Sequence, residues 1–230
     1  MYILHLETAT AICSVALSNG PELVAYRDLT EGMNHTAILA PAIDEILKGV
    51  SLQPGNLGAI SVSSGPGSYT GLRVGSSTAK AMAYSLGIPL IAVPTLTALA
   101  RAGFLAFADA DLVLPMIDAR RKEVYTALYD RTGQEIWPVS SVILDEKFFS
   151  EVLSGKGQIV SCGDGSLKIG EMASLAKNLR VEEEILCSAR YLVAPAWDLF
   201  QQGNIQEALH FVPYYMKPPN ITVPRQAGFV

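Results

Sequence analysis

The segment with the most chemical content is GPGSYTGLRVG, residues 65–75, set between a short apolar run and a long helical pattern. A glycine loop leading from a strand into a helix can aim backbone N–H groups at an anion, because the first amides of a helix lack intrahelical acceptors. Gly65, Gly67 and Ser68 are the expected phosphate cradle; an ordinary glycine turn is the other reading. The loop is not a Walker loop, since no Gly-Lys-Ser/Thr closes it. Nor is it a dinucleotide fingerprint, because Gly65, Gly67 and Gly71 give GxGxxxG, one residue off the usual spacing. The helix that follows places Gly71, Gly75, Ala79, Ala83 and Gly87 at every fourth position. Glycine inside a helix costs roughly 1 kcal/mol against alanine, so Gly75 requires a close approach by another element. That element is either the chain's own sheet and helices or a partner subunit. A third feature, Asp118-Ala119-Arg120-Arg121-Lys122, gathers three cations. They either sit solvated at the tip of a hairpin or face the phosphate of RNA or of a nucleotide across a cleft.

Strands are predicted at Tyr2–Leu6, Ile12–Ser18 and Leu23–Leu29, the last two joined by the turn residues Asn19-Gly20-Pro21. Asn34–Lys48 has a helical period through Ile38, Leu39, Ala42, Ile43, Ile46 and Leu47, with Pro41 imposing a late start or a kink. Leu57–Ser63 and Ile88–Val93 read as buried strands, Gly71–Leu86 and Thr95–Phe107 as helices. The order βββαβαβα opens on a meander, unlike a plain doubly wound sheet. It is the lobe pattern of the actin-like ATPase superfold, which occurs twice per chain. The second half begins the same way, with strands at Leu112–Asp118, Glu123–Tyr129 and Glu135–Leu144, a helix at Glu146–Leu153 and a strand at Gln158–Cys162. From Gly165 to Ala208 no clean period continues, so a shortened, degenerate second lobe is expected. The tail from Pro213 to Val230, with Pro218, Pro219 and Pro224, reads as extended.

Charged residues make up only 17% against 50% hydrophobic, where roughly 25% charged is usual. The apolar surplus implies a large interior or a surface covered by a partner. A net charge of −5 argues against a chain that grips nucleic acid unaided. Cys13, Cys162 and Cys187 form no pair motif, which favours a reducing, cytoplasmic setting. Residues 81–100 carry no charge, but Gly87, Pro89 and Pro94 interrupt them, so no membrane span is expected. The start, MYILHLETAT, lacks the basic region of a signal peptide.

The run GPGSYTGLRVG followed by AKAMAYSLGIPLIAVPTLTALA resembles the signature of the TsaB family, formerly YeaZ. ILHLETATAICSVAL, MNHTAILAPAIDEIL, IDARRKEVY at 117–125 and VPYYMK at 212–217 are also similar to family segments. The likeness covers residues 1–130 and, beyond them, the tail. It implies an α/β actin/Hsp70/sugar-kinase (ribonuclease H-like) fold: residues 1–108 a first lobe joined by 209–230, and 109–208 a degenerate second lobe. It also implies a non-catalytic partner of TsaD, which transfers threonylcarbamoyl to the tRNA adenosine beside the anticodon, working with the ATPase TsaE. tRNA is then met through the complex, and the chain forms a homodimer when alone. No cofactor is expected to be held tightly, ATP and Mg being used by the assembled complex.

Measured against the superfold's enzymes, the chain departs in two places. Their early acidic turn reads DxG[TS], whereas Glu7-Thr8-Ala9-Thr10 stands here without a glycine. TsaD-like proteins hold metal through HxxxH on the first long helix, whereas His35 is followed by Leu39. No metal site is expected. The nucleotide candidates are therefore Glu7, Thr8, Thr10, the loop Gly65–Ser68, and Gly163 and Gly165 of the Cys162-Gly163-Asp164-Gly165 turn. The partner-interface candidates are His35, Ile38, Leu39, Ala42 and Ile46 with Gly71, Leu72, Gly75, Ala79 and Ala83. Rival readings are a small-molecule kinase of the same superfold and a metallo-glycoprotease.

Overall fold

Strands with apolar residues on both faces need cover on both sides, and this places them at the centre of layered sheets. A computed structural model of the chain describes residues 1–30 and 34–218. β1 (Tyr2–Glu7), β2 (Cys13–Asn19) and β4 (Leu57–Ser63) are buried almost throughout, whereas β3 (Glu22–Leu29) is mostly exposed and forms an edge. The first sheet runs β3-β2-β1-β4-β5, closed by β5 (Leu90–Val93). β1–β2 and β2–β3 are antiparallel; β1–β4 and β4–β5 are parallel. The second sheet repeats that order with β6 (Leu112–Asp118), β7 (Glu123–Asp130), β8 (Glu135–Ile143), β9 (Ile159–Cys162) and β10 (Leu179–Glu182), running β8-β7-β6-β9-β10.

Period 2 along β1 sends alternate side chains to two different cores. Leu4 and Leu6 pack beneath α1 (His35–Gly49) and α2 (Tyr69–Leu86), in a cluster with Leu39, Ile43, Ala79 and Ala83. Ile3, on the other face, packs with Ile91, Val93, Leu192 and Ala196 under α5 (Val193–Gln201). α3 (Thr95–Ala106) follows the last strand of the first lobe yet covers the second sheet, where Leu96 and Leu99 meet Ile117, Tyr129 and Cys162. Each lobe thus hands its final helix to the other's sheet, and this exchange couples the lobes.

Several expectations are corrected. Residues 189–201, placed with the second lobe on sequence, lie on the first sheet. Phe211, in the segment expected to join the first lobe, lies in that lobe's core, and Tyr214 N donates to Ser64 O at 2.7 Å. α1 starts at His35 under the Asn34 cap and runs through Pro41, so the late start is not used. The helix expected over 146–153 is a single α turn, α4 (Glu146–Phe148), continued by a π turn over Phe149–Leu153. The second lobe keeps all five strands; what is reduced is its helical cover. Residues 213–218 carry no helix or strand. The rest of the expected extended tail, 219–230, lies outside the described residues, as does Met33 at the head of the α1 segment. The charge-free stretch 81–100 divides into the end of α2, β5 and the start of α3, and no helix among the described residues is long and apolar enough to cross a membrane.

Candidate functional site

The lobes face each other across a cleft of about 380 Å³. One wall is the β1–β2 turn (Ala9–Ala11), His35 and the start of α2; the other is Asp118, Arg120 and Asp164. The structure therefore brings Thr10, Ser68, His35 and Arg120 together from four separate segments.

Three amides of the expected phosphate loop are turned inward. Ser68 N donates to Ala9 O at 2.6 Å, Gly65 N to Thr95 Oγ1 at 3.1 Å and Gly71 N to Ser68 Oγ at 3.3 Å. These amides are already satisfied, so they are not presented to an anion. The glycines serve close packing: a Cβ on Gly67 would overlap Ala9, one on Gly71 the Thr8 carbonyl, and one on Gly75 the Thr8 hydroxyl. Thr8 Oγ1 in turn donates to Gly71 O at 2.9 Å. The backbone of α2 therefore occupies the space directly above the β1–β2 turn. The second lobe repeats this: Gly163, at φ +99°, lies where a Cβ would overlap the Met116 carbonyl, and Gly165 presses on Met116 and Ile117.

This settles which element the small-residue stripe approaches. Gly71, Gly75, Ala79 and Ala83 face the chain's own β1 turn and core, with Ala79 and Ala83 at 0% and 1% exposure. Leu39, Ala42, Ile46 and Leu72 are likewise buried within the chain, and His35 turns to Thr10. Of the expected interface residues only Ile38 is half-exposed. The helical phase was read correctly, but the stripe points inward.

Glu7 does not face the cleft as a free carboxylate. It is 1% exposed, and Oε1 accepts from Ala9 N at 2.6 Å and from Ser63 Oγ at 2.9 Å. Burial raises its pKa to about 7, against the lowering effect of those hydrogen bonds; the nearby Asp164 adds to the rise. Asp164 is itself raised by burial, although its carboxylate accepts from Asp118 N at 3.0 Å. His35 Nε2 lies 2.8 Å from Thr10 O, which can only accept, so this nitrogen carries the proton. Nδ1 is buried without a partner, and Leu39, one turn on, belongs to the core. Among the described residues no three His, Cys, Asp or Glu side chains gather as a metal-binding group. The three thiols are buried. Burial raises Cys13 to about 11 and Cys162 to about 12, with Cys187 also well above its ordinary value, so none is a thiolate nucleophile at neutral pH.

Arg120, Arg121 and Lys122 form the tip of the β6–β7 hairpin, where Ala119 N donates to Glu123 O and Glu123 N to Arg120 O. Arg120 lines the cleft; Arg121 and Lys122 are exposed. Beside Arg120 a second cavity holds Tyr69, Tyr125, Tyr215 and Lys217, residues that sequence reasoning did not select. Their only signal was that Tyr215 and Lys217 stand in VPYYMK and Tyr69 in GPGSYTG.

Two lobes with one strand order, facing across a cleft, define a protein of the actin/Hsp70/sugar-kinase class. A family model described as "TsaD: tRNA N6-adenosine threonylcarbamoyltransferase" matches residues 31–191. The chain is 32% identical over 223 residues to the "tRNA threonylcarbamoyladenosine biosynthesis protein TsaB" of Escherichia coli K12, covering 94% of this chain and 95% of that one. The protein of the same name from Bacillus subtilis 168 is 35% identical, covering 78% and 75%. YeaZ from Pseudomonas aeruginosa superposes with a TM-score of 0.76 at 25% identity, covering 93% of this chain and 99% of that one. The Acidaminococcus fermentans (R)-2-hydroxyglutaryl-CoA dehydratase component A, at 10% identity and TM-score 0.54 over 89% and 99%, shares the fold alone. The chain belongs to the TsaB family, also called YeaZ.

Proposed function

We propose that this chain is a non-catalytic subunit in the synthesis of threonylcarbamoyladenosine on tRNA, acting by holding a TsaD-like catalytic subunit in its working arrangement. The observation that carries the non-catalytic part is the closure of the β1–β2 turn against α2. Ser68 N on Ala9 O, and the absence of room for a Cβ at Gly71 or Gly75, leave no gap above Thr8 for a phosphate group. Glu7, the one acidic side chain of that turn, is buried and engaged by its own neighbours. A kinase would need both groups free to position Mg-nucleotide.

The partner surface we assign is the outward face of α1 and α2. Ile38, Val74 and Met82 lie half-buried there beside the first lobe's core, and Tyr84 is 65% exposed. Apolar side chains left partly open on a rigid helix pair suit a second helical surface. The same face accounts for self-association when the partner is absent, and an ATPase of the TsaE kind and the tRNA join the assembled complex. Co-purification with the organism's own TsaD-like protein, followed by reconstitution of tRNA modification, tests this reading. Modification is expected to need this chain, while the chain alone turns over no ATP. Multiple turnovers by the isolated chain, lost in Glu7→Gln, would restore the kinase reading.

A further inference from the structure

The cavity beside the cleft gathers aromatic and cationic side chains. Its volume is about 260 Å³, under the roughly 300–1,000 Å³ of sites that engulf a drug-sized ligand. It is walled by three tyrosines brought from distant parts of the chain. Tyr69 and Tyr215 touch, with ring centroids 4.7 Å apart and planes at 44°, while Tyr125 stands opposite on β7. Cations surround the rings: Arg73 lies 5.5 Å from the Tyr69 centroid and Lys217 5.6 Å from that of Tyr125. Lys217 is paired with Glu123, but neither Arg73 nor Arg120 has an acidic partner among the described residues. The pocket's own carboxylate, Asp118, is paired with Lys168, so Arg120 in its lining and Arg73 against Tyr69 leave a local excess of positive charge in a chain of net charge −5.

The backbone adds a second, independent observation. Arg120 and Arg121 both hold positive φ, +69° and +50°. Such a turn is most easily made by Gly or Asn, and longer side chains such as arginine are strained in it. Strained backbone kept at a cleft marks a place where the side chain has a task the easier residue could not perform.

We propose that this pocket receives one unpaired nucleotide of the tRNA substrate, the base stacking on the Tyr69–Tyr215 pair and the flanking phosphates meeting Arg73 and Arg120. Aromatic faces with basic side chains at the rim are the recurring solution for single-stranded nucleic acid. The small volume suits a single base with its sugar and phosphate left outside. This inference rests on the reading that the chain works on tRNA. It assigns this chain a direct RNA contact, beyond holding the catalytic subunit.

The test uses the full chain assembled with its TsaD-like partner and anisotropy of an end-labelled tRNA transcript. Tyr69→Ala and Arg120→Gly should each weaken tRNA binding at least about fivefold, the lower end of what a lost stack is worth. Arg73→Ala should lower the slope of log affinity against log salt by roughly one, and Tyr215→Phe should bind as the parent does. Arg120→Gly relieves the left-handed strain, so its melting temperature should hold or rise while tRNA affinity falls, which separates recognition from folding. Unchanged tRNA affinity in Tyr69→Ala and Arg120→Gly, with assembly and modification intact, would overturn this inference and leave the proposed function standing. Loss of partner binding in these variants ahead of tRNA binding would make the pocket a protein-docking site and also overturn it. Displacement of tRNA by AMP as effective as by unlabelled tRNA would assign the site to a free nucleotide instead. Failure of the parent chain to assemble with its partner would overturn the proposed function itself.

Discussion

The two lobes share one strand order and differ in almost everything attached to it. In the first, α1 and α2, of 15 and 18 residues, cover one face of the sheet. In the second, the corresponding cover is one α turn, a π turn and short 3-10 turns. The loop after the fourth strand is nevertheless built alike in both. Gly67, Gly71 and Gly75 press on Thr8 and Ala9 at the end of β1; Gly163 and Gly165 press on Met116 and Ile117 at the end of β6. The strand-end acids diverge. Glu7 is sealed inside by Ser63 and Ala9, whereas Asp118 is 45% exposed and paired with Lys168 at 2.6 Å. Helices can thus be lost from a lobe while the glycine contact closing each sheet's central pair is kept. Only the second lobe leaves its strand-end acid and cations open to the cleft.

The sharpest way to break that parallel is to add a methyl group to each glycine contact. Gly71→Ala and Gly163→Ala should both destabilise by about 3 kcal/mol or more, above the usual overpacking range, because backbone stands where the methyl would go. Equal losses in chemical denaturation would confirm one architectural role in both lobes. A tolerated Gly163→Ala would show that the thinly covered lobe gives way where the other cannot.

Next in size is the pH response of the sealed acid. The Glu7 pKa is raised to about 7 from 4.5, so the folded state holds a proton that the unfolded chain has released. Its protonated form supports folding fully below about pH 4.5, and that support is lost as pH rises through 7, on the order of 3 kcal/mol in all. Glu7→Gln should therefore remove a fall in stability between pH 5 and 8, visible in thermal melts at a series of pH values. His5 works in the other direction: burial between Ser61 and Ser18 lowers it to about 3, and its contribution is lost as pH falls below 6.5. Identical pH profiles for Glu7→Gln and the parent would mean that the carboxylate is not sealed.

A smaller effect is expected at the hydroxyl linking the β1 turn to α2. Thr8→Val keeps the shape and removes the 2.9 Å bond to Gly71 O, for a loss of about 1 kcal/mol in denaturant titration. Smallest is Lys168→Ala in the second lobe. Its ion pair with Asp118 is partly open to water (20% and 45% exposed), so less than about 1 kcal/mol should be lost. A larger loss from Lys168→Ala than from Thr8→Val would reverse the ranking of the sealed and open lobes.

What the sequence determined by itself was local and periodic. Short apolar runs along Tyr2–Leu6, Leu57–Ser63 and Leu112–Asp118 mark the central strands because both faces of each are buried, and the meander before the first helix reveals the superfold. β10 and α5 escaped because β10 is a short, half-exposed edge strand and α5 is nine residues with Pro195 in its first turn. The glycine and alanine stripe announced a close approach but not what is approached, since one helical period serves an internal sheet and a foreign helix equally well. Only the tertiary structure placed Thr8 against Gly75, and Ser63, 56 residues away, against Glu7. Tyr69 and Tyr215 stand 146 positions apart in the chain, and no periodicity can pair them. They meet because the chain returns after α5 to the loop that opens α2, a contact set by how the two sheets exchange their last helices.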